Sequence, residues 1–175
     1  MLSTESLRRI DLEVAKYPAD HKQSAVMSAL AIAQDEHGWL SVALMDEVAR
    51  HLGMPPVAVY EVATFYSMYN LQPTGRFKLT ICTNLPCALQ GANAAAEHLK
   101  ARLGVDFGGT TADGRFTLKE GECFGACGDA PVVLVNNKRM CSFMRPDALD
   151  GLIAELSAAA DRGEGAPLDT ARDPA

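Results

Sequence analysis

The spacing of apolar positions changes near residue 75, from steps of three and four to a period of two. Before that point the chain predicts four short helices. Ser3 or Thr4 can cap the first, whose apolar face would carry Leu7, Ile10, Val14 and Tyr17. Val26, Leu30 and Ala33 repeat the pattern up to Gly38, a helix stop. Ser41 can cap a third helix with Leu44, Val48 and Leu52, ended by Gly53, and Pro55-Pro56 opens a fourth bearing Val59, Val62, Ala63 and Tyr66. No period of 20–50 residues recurs, so the segment predicts a bundle and not a solenoid.

Turn residues gather at Gln72-Pro73-Thr74-Gly75, and Phe77, Leu79 and Ile81 then alternate with Lys78 and Thr80 as in a strand. An Ala-rich helical stretch from Gly91 to Leu103 follows, then turns at Gly108-Gly109 and Asp113-Gly114, then a second alternating segment with Phe116 and Leu118. Strand, helix, strand predicts a crossover between parallel strands. Val132-Val133-Leu134-Val135 suits a buried strand, Asn136-Asn137 a tight hairpin back through Arg139 to Ser142, and Pro146 the start of a last helix presenting Leu149, Leu152, Ile153 and Leu156. The fold class is α/β: a helical bundle over 1–72, a sheet-containing domain over 73–160, and a Gly-, Pro- and Asp-rich tail over 161–175 expected to be disordered.

Charge narrows the function classes. The 16 Lys and Arg against 22 Asp and Glu give a net charge of −6, which argues against an electrostatic nucleic-acid binder. The first residues lack the apolar stretch of a signal peptide, and the longest uncharged run, Leu79 to Ala96, is broken by Pro86 and Gly91, unlike a spanning helix of about 20 apolar residues. Both point to a cytoplasmic chain that reaches a membrane only through partners. The 5 cysteines, an odd number lying wholly beyond residue 80, fit a reducing compartment where thiols serve metals or catalysis.

The chemistry gathers in those cysteines. Cys82 and Cys87 form one pair with four residues between them, Cys123 and Cys127 another with three, and residues 88–122 lie between the pairs. Each pair follows a predicted strand, so two strands of one sheet would deliver all four thiols to the same sheet end. Structural zinc takes four thiolates in a closed tetrahedron, whereas a [2Fe–2S] cluster takes them as two pairs set further apart. The unequal loops suit the wider object, and zinc stays open as the alternative. Gly125 and Gly128 permit turns that aim backbone N–H groups at sulfur, and Pro86 restricts the first loop. Cys141, on the predicted return strand, reads as a small buried hydrophobe.

The remaining candidates are weaker. His21, His37, His51 and His98 are scattered, and none stands at ligand spacing from a cysteine. Tyr60, Phe65, Tyr66, Met68 and Tyr69 predict bundle core before protein interface. Glu120, Glu122 and Asp129 flank the second pair, either as solvated carboxylates or as charges that disfavour adding an electron nearby. Gly108-Gly109 reads as a flexible turn, and no Walker loop, G-x-S-x-G or G-x-G-x-x-G stands where a nucleotide or nucleophile site needs one.

The segments ICTNLPCALQGAN and LKEGECFGACGDAPVVLVNNK, with YEVATFYSMYNLQPTG and SAVMSALAIAQDEHGWLS upstream, resemble the thioredoxin-like [2Fe–2S] ferredoxin subunits of NADH:quinone oxidoreductase, respiratory complex I, in the bacterial form. The resemblance runs from Leu7 to Leu156, and its motif E-C-x-G-A-C-x-x-A-P stands as Glu122 to Pro131. It implies a thioredoxin-like cluster domain after the bundle, with one [2Fe–2S] cluster on Cys82, Cys87, Cys123 and Cys127. It further implies one-electron transfer beside a partner flavoprotein that holds FMN and oxidises NADH, among other iron–sulfur subunits of a peripheral arm on the cytoplasmic side of the inner membrane. The chain itself would carry electrons and hold no substrate site. Alternatives are the equivalent subunit of an NAD-linked formate dehydrogenase or bidirectional hydrogenase, a four-cysteine zinc module and, disfavoured by C-x4-C, a thiol–disulfide enzyme.

Overall fold

Ser3 and Ser41 accept the backbone N–H of Ser6 and Leu44, at 3.1 and 3.3 Å, and so start α1 (Thr4–Val14) and α3 (Val42–Leu52). Gly38 and Gly53, both left-handed, end α2 (Val26–His37) and α3, and Pro55-Pro56 opens α4 (Pro56–Phe65). The computed structural model describes residues 1–167, which form two compact units, one over 1–73 with Pro167 and one over Thr74–Ala166.

In the first unit the four helices bury Ile10, Leu30, Leu40, Val48, Val59 and Ala63 in one apolar core. Tyr17 departs from its expected place on the face of α1. The helix stops at Val14, because the residue before Pro18 is pushed towards extended backbone, and Tyr17 is left exposed. The aromatic stretch divides. Tyr69 is buried, its hydroxyl donating to Met27 O at 2.9 Å and its pKa pushed up to about 12 by burial. Tyr60 is partly buried and bonded to Asp46, whereas Phe65, 80% exposed, Tyr66 and Met68 face outward. Backbone at Tyr66 turns extended, so the helical face does not continue past Phe65.

The second unit is a four-stranded sheet, among the described residues, in the order β2-β1-β3-β4. β1 (Phe77–Cys82) runs parallel to β2 (Phe116–Gly121), pairing Phe77 with Phe116 and Cys82 with Gly121. The connection between them is the predicted crossover, made of the short α5 (Leu85–Leu89) and α6 (Ala92–Leu103). β3 (Val133–Val135) is antiparallel to β1 and to β4 (Arg139–Cys141). Asn136 and Asn137 turn β3 into β4 at φ of 50° and 58°, as a type I′ turn demands. The Asn136 side chain also accepts Lys78 N–H at 2.7 Å and donates to Arg76 O at 3.0 Å, pinning the hairpin to the start of β1.

Phe77, Leu79, Ile81, Phe116, Leu118 and Val133 face α6 and α7 (Pro146–Asp161), which supply Leu99, Leu149, Leu152 and Ile153. Both faces of β1 are buried, as in a central strand: Lys78 is only 2% exposed, and burial lowers its pKa to about 8, with the Lys119 charge acting the same way. Gly108-Gly109 lies in a turn, as expected, and that turn is bonded to β2. Gly108 N–H donates to Leu118 O and Leu118 N–H to Gly109 O, covering the outer edge of β2. Of the predicted tail, Asp161 ends α7 and Ala166 N–H donates to Arg76 O at 2.9 Å, while residues 168–175 lie outside the described residues.

Candidate functional site

Parallel pairing of β1 with β2 puts the ends of both strands side by side, and the four cysteines follow from there. Cys82 is the last residue of β1, opposite Gly121, and its N–H donates to Val132 O at 3.1 Å. Asn84 caps α5 by accepting Leu85 N–H at 3.1 Å, and Pro86, early in this helix where a missing N–H costs nothing, sets up the turn that carries Cys87. The chain leaves β2 at Gly121 and reaches Cys123 two residues later. Gly125, at a φ of 76°, folds its N–H back onto Cys123 Sγ at 3.3 Å, and a short 3-10 turn starts at Cys127.

The pairs differ in exposure. Cys82 and Cys87 are each 2% exposed, whereas Cys123 and Cys127 are open to solvent, with their sulfurs 3.8 Å apart. A tetrahedral metal with thiolate bonds of about 2.3 Å holds two sulfurs about 3.8 Å apart. Among the described residues no three His, Cys, Asp or Glu side chains form a group that could hold one metal ion. The donors stand as two pairs. Each pair nonetheless senses the other, since a thiolate at Cys127 would raise the pKa of Cys87, and one at Cys82 that of Cys127.

Burial, then the adjoining Cys82 sulfur, pushes the Cys87 thiol up, opposed by a hydrogen bond from Val132 N–H. Its shared hydrogen bond and charge with Cys123 do the same to Cys127. The metal-free sulfurs of Cys87 and Cys127 therefore hold their protons, and binding a metal would release them. Backbone N–H groups of Val132 and Gly125 already point at sulfur and would stabilise the thiolates so formed. Cys141, buried on β4 with its thiol pushed up by burial, belongs to the sheet core and not to this cluster.

Side chains that the linear pattern did not mark complete the surroundings. Phe124 turns inward between Cys123 and Cys127 and packs against Cys82, Cys87, Ala92 and Ala130. Gly121 makes room for its ring: a Cβ there would lie 2.6 Å from Phe124 Cζ and 2.7 Å from Thr80 Cγ2. Gly121→Ala is thus expected to lower stability by about 1–3 kcal/mol, as overpacking does, read as a lower thermal midpoint of the metal-free chain. Thr83 Oγ1 donates to Glu120 Oε1 at 2.7 Å and Asn84 Nδ2 to Glu122 Oε2 at 2.9 Å, so these carboxylates are anchored and not merely solvated. Asp129 accepts the Ser142 hydroxyl at 3.1 Å. Asn two residues before Pro86 is a helix-cap signal that could have marked Asn84.

A strand-end array of paired thiols with N–H groups aimed at sulfur is the apparatus of an iron–sulfur electron carrier. The sequence pattern described as thioredoxin-like [2Fe–2S] ferredoxin matches residues 10–157, and the chain belongs to that family. It is 48% identical over 128 residues to the E 2 subunit of the NADH-quinone oxidoreductase of Rhizobium meliloti (strain 1021), covering 73% of this chain and 75% of that protein. It is 41% identical over 134 residues to the mitochondrial NADH dehydrogenase [ubiquinone] flavoprotein 2 of Dictyostelium discoideum, covering 76% of this chain and 54% of the relative. Among solved structures, an NAD+-reducing [NiFe]-hydrogenase in the H2-reduced state superposes with a TM-score of 0.64 at 25% identity, over 74% of this chain and 22% of the hydrogenase chain. No helix among the described residues is long and apolar enough to cross a membrane.

Proposed function

We propose that this chain is the electron-transfer subunit of an NADH:quinone oxidoreductase, holding one [2Fe–2S] cluster on Cys82, Cys87, Cys123 and Cys127. The observation that carries the reading is the arrival of two thiol pairs at the ends of adjacent parallel strands, one pair at the sulfur separation a tetrahedral metal needs. When bound, such a cluster takes up and gives back one electron without bond making. The chain's own residues hold and tune it. Buried Cys82 and Cys87 anchor the inner side, exposed Cys123 and Cys127 the outer, and the N–H groups of Val132 and Gly125 favour the thiolate form. FMN and NADH belong to a partner flavoprotein subunit, and the assembly is peripheral on the cytoplasmic side of the inner membrane.

Anaerobic purification from the native host, with iron, sulfide and zinc analysis and EPR after reduction, tests the reading. Two irons, two sulfides and an S = 1/2 signal per chain are expected, and stoichiometric zinc without iron would overturn it. The hydrogenase superposition favours a second reading, the same module in an NAD-linked hydrogenase. Native co-purification separates the two by whether quinone-reductase or nickel–iron subunits accompany the chain.

A further inference from the structure

The cysteine pairs come from segments far apart in sequence, and one side chain touches the machinery of both. Asn84 Oδ1 accepts Leu85 N–H at 3.1 Å, capping the helix that carries Cys87, while Asn84 Nδ2 donates to Glu122 Oε2 at 2.9 Å, and Glu122 immediately precedes Cys123. Beside this link Thr83 N–H donates to Gly121 O at 3.3 Å and Thr83 Oγ1 to Glu120 Oε1 at 2.7 Å. A carboxamide, with an acceptor oxygen and a donor nitrogen on one side chain, serves both ends at once.

We infer that Asn84 is a positioning residue that sets the spacing between the two cysteine pairs, using Glu122 as its anchor. This rests on the proposed [2Fe–2S] reading of the same site. Without the link, α5 and the loop bearing Cys123 are joined near the thiols by strand pairing, by the Thr83 bonds to Glu120 and Gly121 and by the Phe124 ring, and a bridging group held by both pairs becomes easier to lose.

Asp caps helices as well as Asn, so Asn84→Asp keeps α5 but sets one carboxylate against another. Glu122→Gln in the same chain restores a donor–acceptor pair with the roles exchanged and the charge of wild type. The measurement is the rate of iron loss to a chelator from the anaerobically purified full-length holoprotein, followed by absorbance, with EPR g-values of the reduced form. Asn84→Asp is expected to lose iron about tenfold faster with shifted g-values, as changes behind metal ligands commonly do. The double variant should return both to near wild type, a rescue that general damage to the fold would not give.

A wild-type rate in Asn84→Asp, or a double variant as labile as the single, overturns the inference. If circular dichroism shows that Asn84→Asp does not fold, Glu122→Ala, which spares the cap, carries the test: faster loss supports the inference and an unchanged rate overturns it. Wild-type protein lacking two irons and two sulfides overturns the underlying reading first, before any variant is made.

Discussion

Substituting Cys87 by serine is expected to remove or shift the reduced-state EPR signal and to cut iron occupancy by on the order of tenfold or more. Altering a group that merely supports a metal ligand costs about 10–100-fold in affinity, so losing the ligand costs at least as much. The site gives little to compensate. Cys87 is buried, its sulfur lies beside Cys82 and receives Val132 N–H, and a serine oxygen in that place is smaller and a harder donor than the thiolate that an iron–sulfur cluster selects. Cys141→Ser is the control. That thiol packs with the sheet core among Val133, Val135 and Leu149, so its change should leave iron content and signal untouched while costing some stability. A lost cluster in Cys141→Ser together with a retained one in Cys87→Ser would reverse the ligand assignment.

Leu79→Ala is expected to destabilise the sheet-containing unit by about 2–5 kcal/mol, seen as a thermal midpoint lower by on the order of 10 °C. Leu79 lies at the centre of β1, fully buried, between Leu118 on β2 and Val135 on β3. Truncation there opens a cavity enclosed by helices as well as strands, which cannot readily collapse. The same change should weaken cluster retention although it touches no thiol, because β1 ends in Cys82. Leu12→Ala, on an exposed position of α1, provides the contrast, with an expected cost within about 0.5 kcal/mol. Equal losses in the two variants would contradict this account of the core.

Much of this was legible in the chain because its signals are local. Ser3, Ser41, Gly38, Gly53 and Pro56 each act on backbone within a turn of themselves, and the helices begin and end where they stand. The cysteine pairs were legible for a related reason: each is a short-range spacing placed directly after a strand. What escaped depends on partners distant in sequence. Lys78 alternates with apolar residues like a solvent-facing position and is nonetheless buried. Phe65 looks like core until the helix ends beneath it. The carboxylates of Glu120 and Glu122 gain their anchors only from the register that sets Cys82 opposite Gly121.

That register also dictates an order of events in time. The segments that carry Cys82 and Cys123 come together only when β1 and β2 align in parallel, after the whole crossover through α5 and α6 has closed. Parallel pairing across a long connection is slow, since the loop's entropy is spent before contacts repay it. During synthesis the first pair emerges well ahead of the second and stands alone until β2 arrives. With the ligand set proposed above, a group bridging both pairs would be received only by a chain whose sheet has already formed, and a brake on folding of the sheet would equally be a brake on filling the site.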